Sequence, residues 1–210
     1  MRIGILGNGR MAEALGGQWA RAGHEIVIGG RAPRRAAELA ERIGAAAGTL
    51  QEATRFGALT LLAVPAGAAL ETLRVVGAAD GSLRGRVLVD CTNAVLHRGV
   101  AMTVDAMAET ISEYAVGARV VKAFNLAADS VWRSAPHDFD GRPLGVPLCG
   151  DDDVAVEQVA VLARDLGCEP VKAGGLARAR LLEATAAFAI GVWFAGADTR
   201  ALFPPLENAF

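Results

Sequence analysis

The six residues Gly7-Asn8-Gly9-Arg10-Met11-Ala12 follow the apolar run "RIGIL" and lead into the helix-spaced run "MAEALGGQWARAG". They read G-x-G-x-x-A, and each small residue has its own physical reason. Gly7 permits a tight turn, Gly9 lets the backbone approach a pyrophosphate, and Ala12 lets the helix pack closely on the strand. The start of the helix then offers unpaired N–H groups and the positive end of its dipole to phosphates. Glycine turns join many strands to helices, so the pattern by itself is a weak signal. At residue 7, between a strand pattern and a helix pattern that leads to a second strand, it predicts a dinucleotide seated on Gly7, Asn8, Gly9, Arg10 and Met11.

The rest of the chain repeats the alternation. "EIVIGG", "LTLLAVP", "RVLVDCT", "ARVVKAF", "GVPLCG" and "EPVKAG" read as strands, and helix patterns separate most of them. This order predicts an α/β fold, a doubly wound Rossmann-type parallel sheet with a small C-terminal helical portion. Thr49 and Glu52 make a capping box that starts a helix over residues 50–56. Further helices are expected over 66–76 and 104–114, and over "VAVEQVAVLARDLG". The triple acid Asp151-Asp152-Asp153 before that last run is read as charge at a helix start, which needs no metal. Residues 96–102 and 135–144 are the expected long loops, and "FPPLENAF" an extended or irregular end. The dinucleotide-binding portion is expected over 1–150, with 151–210 packed on it and a helix near 176–195 in dimer or substrate contact.

Composition narrows the partners. A formal net charge of -2 and a pI near 5.9 give no general reason to expect nucleic acid or a membrane surface. Cys91, Cys149 and Cys168 are odd in number and widely spaced, which fits a reducing cytoplasm better than a disulfide framework. The N-terminus runs directly into a strand pattern, so no export signal is expected. The most apolar window, residues 184–197, is short of the roughly 20 residues needed to cross a bilayer. It lies in a helix that is apolar on nearly all sides after Glu183, which predicts a symmetric homodimer packing these helices together.

At the end of the second strand, a carboxylate that binds an adenosine ribose 2′-OH is expected roughly 20 residues beyond the glycine turn. The chain has "IVIGGRAPRR" there, with Gly30 and Arg31 in the acid's place. A carboxylate would repel a 2′-phosphate, whereas a guanidinium grips one through paired N–H donors. Arg31 reaches it from the strand end, and Arg34 or Arg35 from the following helix. The stretch therefore selects NADP(H). The plain alternative, a solvated basic helix face, applies most to Arg34.

With the glycine turn, "GGR", "LAVP", "VVKAFN" and "VPLCGDDD" in hand, the chain resembles the family of NADPH-dependent reductases of coenzyme F420, and is similar to the cytosolic reductase domains of membrane ferric reductases. The resemblance runs from Met1 to about Trp193. It implies hydride exchange between NADPH and a deazaflavin. It also implies that Gly30, Arg31 and Arg35 hold the 2′-phosphate, and that Val64, Pro65 and the segment ending at Asn93 line the cofactor. Ala94 stands where that family often has proline. On the deazaflavin side the resemblance implies Asn125, Ala127 and Arg180 as substrate-binding residues, with departures. Asn125 stands in place of a histidine, Ala127 takes the apolar position near the reacting rings, and Ala184 and Ala186 replace hydroxyl residues, with Thr185 between them. Each lost donor removes a hydrogen bond that would orient a polar ring system.

Read for chemistry, the residues leave three functions open. The first is an NADPH-dependent oxidoreductase acting on coenzyme F420; the second reduces a small carbonyl or imine metabolite; the third is an NADPH-binding redox sensor. No catalytic residue is assigned, although Asn125 and Ala127 lie where one is expected, and Asn125 closes a strand at the ligand-binding edge, to turn the chain or to hold a ligand. A carbonyl acceptor would call for a proton donor. Lys122, His137, Asp138 and Tyr114 are the available types, each with a plain alternative: surface charge for Lys122, ordinary loop residues for His137 and Asp138, packing for Tyr114. Cys91 reads as a small buried thiol, and His24 and His97 lack the spacing of a zinc pair. The NADP preference has a direct test. Arg31→Ala should weaken NADPH binding by about 1.5 to 3 kcal/mol, the worth of a charge-assisted contact, and leave NADH binding nearly unchanged; equal losses would make Arg31 structural.

Overall fold

A computed structural model describes residues 1–96, 101–139 and 141–197. The expected irregular end "FPPLENAF", His97, and parts of the two expected loops lie outside the described residues. Five parallel connections build the main sheet from β1 (Arg2–Leu6), β2 (Glu25–Gly29), β3 (Ala46–Gly48), β4 (Leu59–Leu62), β5 (Val87–Asp90) and β6 (Arg119–Lys122). Their spatial order is β3-β2-β1-β4-β5-β6, so the direction of winding reverses between β1 and β4. Ligands of open α/β sheets bind at such a switch point, beyond the C-terminal strand ends. A strand β9 (Gly145–Gly150) then joins β6 antiparallel, and β10 (Glu169–Lys172) runs parallel to β9 at the edge.

The helices start and stop where local chemistry dictates. The first, α1 (Arg10–Arg21), begins at Gly9; α2 (Pro33–Ile43) has proline in its first turn and ends at Gly44 with φ 71°. The capping box works as read: in α3 (Leu50–Phe56) the Thr49 side chain accepts from the Glu52 N–H, and the Glu52 carboxylate accepts from the Thr49 N–H. Next come α4 (Ala66–Val75), α5 (Met107–Tyr114), α6 (Asp129–Arg133), α7 (Asp153–Arg164) and α8 (Ala179–Phe194). Asp152 caps α7 through the Ala155 N–H at 2.8 Å, and Asp151 accepts from the Leu176 N–H at 2.8 Å. Thus two of the three neighbouring acids hold backbone.

Alternation along the strands sends side chains to two faces. Ile3, Ile5, Leu61 and Val89 join Trp19, Phe124, Trp132 and Leu162 in one core cluster; Leu6, Leu62 and Leu88 join Leu73, Ile111 and Leu176 in the other. Trp19, fully buried, also donates from Nε1 to the Leu162 carbonyl at 3.1 Å, tying α1 to α7.

Several expectations are corrected. The helix expected over 104–114 starts at Met107, where its first N–H groups find a carboxylate described below. Residues 135–144 are not wholly irregular, because β7 (Asp138–Phe139) and β8 (Arg142–Pro143) pair as a short hairpin. The helix expected from Leu176 opens with a 3-10 turn, Leu176–Arg178, before α8 proper. Two short elements, β3 and α6, have no strong pattern in sequence, since alanine and glycine are poor strand formers. Among the described residues no helix is long and apolar enough to cross a membrane.

Candidate active-site crevice

The glycine turn sits at the C-terminal end of β1. Gly7 has φ 127°, its N–H donates to the Gly29 carbonyl at 2.8 Å, and a Cβ there would come within 2.2 Å of the Ala63 carbonyl oxygen. Only glycine fits. Gly9 differs: a Cβ on it would meet nothing within 4 Å, so the chain faces open space where α1 begins. No side chain caps α1, and its first N–H groups are left for an anion. At the end of β2, a Cβ on Gly30 would lie 2.8 Å from Asn8 Nδ2, which is buried without a hydrogen-bond partner. Gly30 therefore makes room for Asn8 itself. These features fit a dinucleotide pyrophosphate: an uncapped helix start, open backbone at Gly9, and an orphaned amide donor beside them.

Arg31 is exposed at the end of β2 and makes no ion pair among the described residues; its charge reaches Glu71 on α4, whose carboxyl is held below its usual range chiefly by Arg74. Arg35 is likewise exposed, whereas Arg34 is taken up by Glu38 at 2.8 Å. Arg31 and Arg34 thus differ in their surroundings.

Two adjoining cavities continue along the strand ends. One, of about 350 Å³, is lined by Gly9, Arg10, Met11, Val64, Pro65, Asn93, Asn125 and Ala127. The other, of about 470 Å³, shares Arg10, Asn93, Asn125 and Ala127 and is closed by Leu126, Ala186, Ile190, Trp193 and Phe194. The fold thus brings together most of the sequence-derived residues. Arg10 also lies 3.5 Å from Asp129. Arg180 is not on either wall: its guanidinium is bound to Glu109 on α5, at 2.8 and 3.0 Å from the two carboxylate oxygens. Phe124, at φ 62°, turns the chain so that Asn125 faces Asn93. Asn93 Nδ2 donates to the Asn125 carbonyl at 2.8 Å; Asn125 Nδ2 donates to Asn93 Oδ1 at 3.1 Å and to the Leu182 carbonyl at 3.2 Å.

The proton-donor types do not reach these walls. His137 is buried with its ring nitrogens at the Leu166 and Trp132 carbonyls, Asp138 belongs to the exposed hairpin, and Tyr114 is half-buried at the end of α5. Cys91 lines the first cavity, but burial, aided by the charge of Asp90, pushes its thiol up to about 12.

Lys122 corrects the sequence reading most sharply. It is not a surface charge but fully buried, 2.8 Å from both Asp90 and Glu183, with its ammonium also donating to the Thr92 carbonyl at 2.6 Å. Burial alone would lower its pKa; Asp90 and Glu183 outweigh that and hold the ammonium above the ordinary lysine value. Asp90 accepts from the Thr92 N–H at 2.8 Å, and Glu183 accepts from the Met107 and Ala108 N–H groups at 2.9 and 3.0 Å. Sequence reasoning missed this network, although each member is a lone charge in an apolar run. Removing one partner leaves a buried charge uncompensated, so Lys122→Met should cost about 3 to 5 kcal/mol in urea unfolding. Adding Glu183→Leu should cost much less than the two single losses summed; additive losses would mean that the groups do not act together. Because the ammonium's pKa is raised, its contribution is intact at neutral pH and lost only at alkaline pH, as the solution passes the folded-state value.

Comparison with known proteins bears on this crevice. Residues 2–94 match the family model described as NADP oxidoreductase, coenzyme F420-dependent. The metalloreductase STEAP3 of Rattus norvegicus is 30% identical over 188 residues, covering 87% of this chain but 36% of the relative, so the chain spans about a third of that protein's length. The F420-dependent NADP reductase of Methanothermobacter marburgensis is 29% identical over 205 residues, covering 87% of this chain and 88% of that one. An Arthrobacter sp. FB24 crystal structure, provisionally described as an F420-dependent NADP-reductase, superposes with a TM-score of 0.81 at 25% identity over 92% of this chain and 93% of its own. Over residues 2–94 the chain is thus similar to this family of NADP-dependent oxidoreductases.

Proposed function

We propose that the chain exchanges hydride between NADP(H) and the deazaflavin coenzyme F420. In this reading Arg31 and Arg35, beside Gly30, hold the 2′-phosphate, and the uncapped start of α1 at Gly9, Arg10 and Met11 holds the pyrophosphate. Val64, Pro65 and the Asn93–Asn125 pair bound the redox end. The hydride chemistry is supplied by the cofactor when bound. The chain's own part is to orient two ring systems and keep water out.

The observation that carries the reading is the wall of the second cavity. Its described lining is apolar and amide, with Arg10 at the rim, and Lys122, His137, Asp138 and Tyr114 all lie elsewhere. A flat conjugated acceptor placed between Ala127 and the Ala186–Ile190–Trp193 row needs positioning more than a protein proton donor. Arg180, committed to Glu109, would touch such an acceptor only after leaving that pair. The same reading has the protein working in the cytoplasm as a homodimer. Leu181 and Phe188 stand 51% and 58% exposed on one face of α8, which supports a second copy against that face.

Mixing the protein with NADPH and oxidised coenzyme F420 should bleach the deazaflavin absorbance. Trp193→Ala should raise KM for coenzyme F420 about tenfold, as expected for a lost aromatic contact, and leave NADPH affinity unchanged. No bleaching at high protein concentration sinks the proposal, and NADPH turnover on a carbonyl or imine panel would replace it. Light scattering should give twice the 21.7 kDa chain mass, and Phe188→Glu should shift it to the monomer; a monomeric parent protein would refute the dimer.

A further inference from the structure

A further cavity does not belong to the crevice. It lies at the opposite end of the sheet, where β1, β4 and β5 begin, and has a volume of about 670 Å³. Its walls carry Arg2, Arg55, Arg84 and Arg86, with Phe56 and Gln158, and no carboxylate. We propose that this cavity is a second anion site, for a small ligand bearing two or more phosphate groups, separate from the dinucleotide crevice.

Three observations support this assignment. First, three of the four arginines have neighbours that restrain them. The Arg2 guanidinium lies 4.3 Å from the centre of the Phe56 ring, a stacking contact that fixes its plane and leaves its N–H donors free. Half-buried Arg86 donates to the Gly57 carbonyl through one nitrogen. Arg84 lies along Gly117, where a Cβ would come within 2.9 Å of its Cγ.

Second, the charge is uncompensated. None of the four arginines has a carboxylate within ion-pair distance among the described residues. Glu25, the register neighbour of Arg2 on β2, makes no such pair with it. Among the described residues many other arginines do pair: Arg34 with Glu38, Arg42 with Glu13, Arg74 with Glu71, Arg119 with Asp152, Arg164 with Glu157 and Arg180 with Glu109. Gathering like charges in one concavity is unfavourable by itself, and a chain of formal net charge -2 has no general excess of cations to dispose of.

Third, the donor geometry suits phosphate. Guanidinium forks bind phosphate oxygens in pairs, and several forks around one cavity favour a ligand with more than one phosphate over a single carboxylate. The volume falls within the range of small-ligand sites.

Inorganic tripolyphosphate is the probe. Titrated calorimetrically into the full chain at low salt, it should bind saturably with one equivalent per chain, and its affinity should fall steeply with added salt. The double variant Arg55→Ala/Arg84→Ala changes two exposed side chains and should retain the parent circular dichroism. It should weaken binding at least about tenfold, the loss of one or two charge-assisted contacts. Arg31→Ala and Arg10→Ala, at the two phosphate positions of the proposed crevice site, should each leave tripolyphosphate binding unchanged, which separates the result from whether the crevice takes NADP. Absence of saturable binding, full retention in the double variant, or loss in Arg31→Ala or Arg10→Ala would each overturn the proposal.

Discussion

Lys122 ties the ends of two paired strands to the long helix α8. Asp90 ends β5, Lys122 ends β6, and Glu183 faces inward from α8, whose other buried residues are Ala179, Ala186 and Ala187. Burying any one of these charges alone would cost several kcal/mol. The cluster is tolerable because it is complete: one ammonium between two carboxylates, with the remaining negative charge met by the first N–H groups of α5, at the positive end of that helix. Its completeness also gives it direction. Thr92 is held at both its N–H and its carbonyl, so Asn93 has one place to be; Asn93 fixes Asn125, and Asn125 returns to α8 at Leu182. The Asn93–Asn125 wall of the crevice and the helix that closes its far side are thus registered against each other through a closed loop of polar contacts.

A second constraint operates at the glycine turn. Gly7 is fixed by its left-handed backbone and by the Ala63 carbonyl, Gly9 by the space it keeps open, and Gly30 by the Asn8 amide. In the proposed reading the last of these joins the two anionic ends of a dinucleotide: the residue beside the 2′-phosphate position leaves room for the residue beside the pyrophosphate position. A larger residue at 30 would disturb both through the displacement of Asn8.

What the sequence discloses is what local chemistry decides. The capping box at Thr49, the glycine turn and the strands β1, β2, β4, β5 and β6 rest on residues a few positions apart, and each is found where the pattern puts it. What it conceals depends on partners brought together by the fold. Lys122 meets Asp90 and Glu183 from 32 and 61 positions away, and a lone lysine at the end of an apolar strand reads as surface charge until those carboxylates arrive. Arg180 fails for a related reason. Ala186, Ile190 and Trp193 recur at the i, i+4, i+7 spacing of one helix face, whereas Arg180 lies about a third of a turn away and finds Glu109. The family resemblance suggested the crevice, but helix angle turns the side chain to Glu109.

Net charge conceals in the same way. A total of -2 says that cations and anions nearly cancel, not that they mix. Along the helices they do mix, as in Arg34 with Glu38 and Arg74 with Glu71, and such exposed pairs contribute little to stability. At the ends of the sheet they separate. Arg31 and Arg35 face solvent unpaired at the C-terminal strand ends, and Arg2, Arg55, Arg84 and Arg86 gather at the N-terminal ends. Fields from exposed charges fade within about a Debye length, roughly 8 Å in physiological salt. Each cluster is therefore felt by a ligand at its own end and by little else. A chain of this composition, with no general attraction for polyanions, can still hold strongly cationic sites, provided that the fold keeps carboxylates away from them.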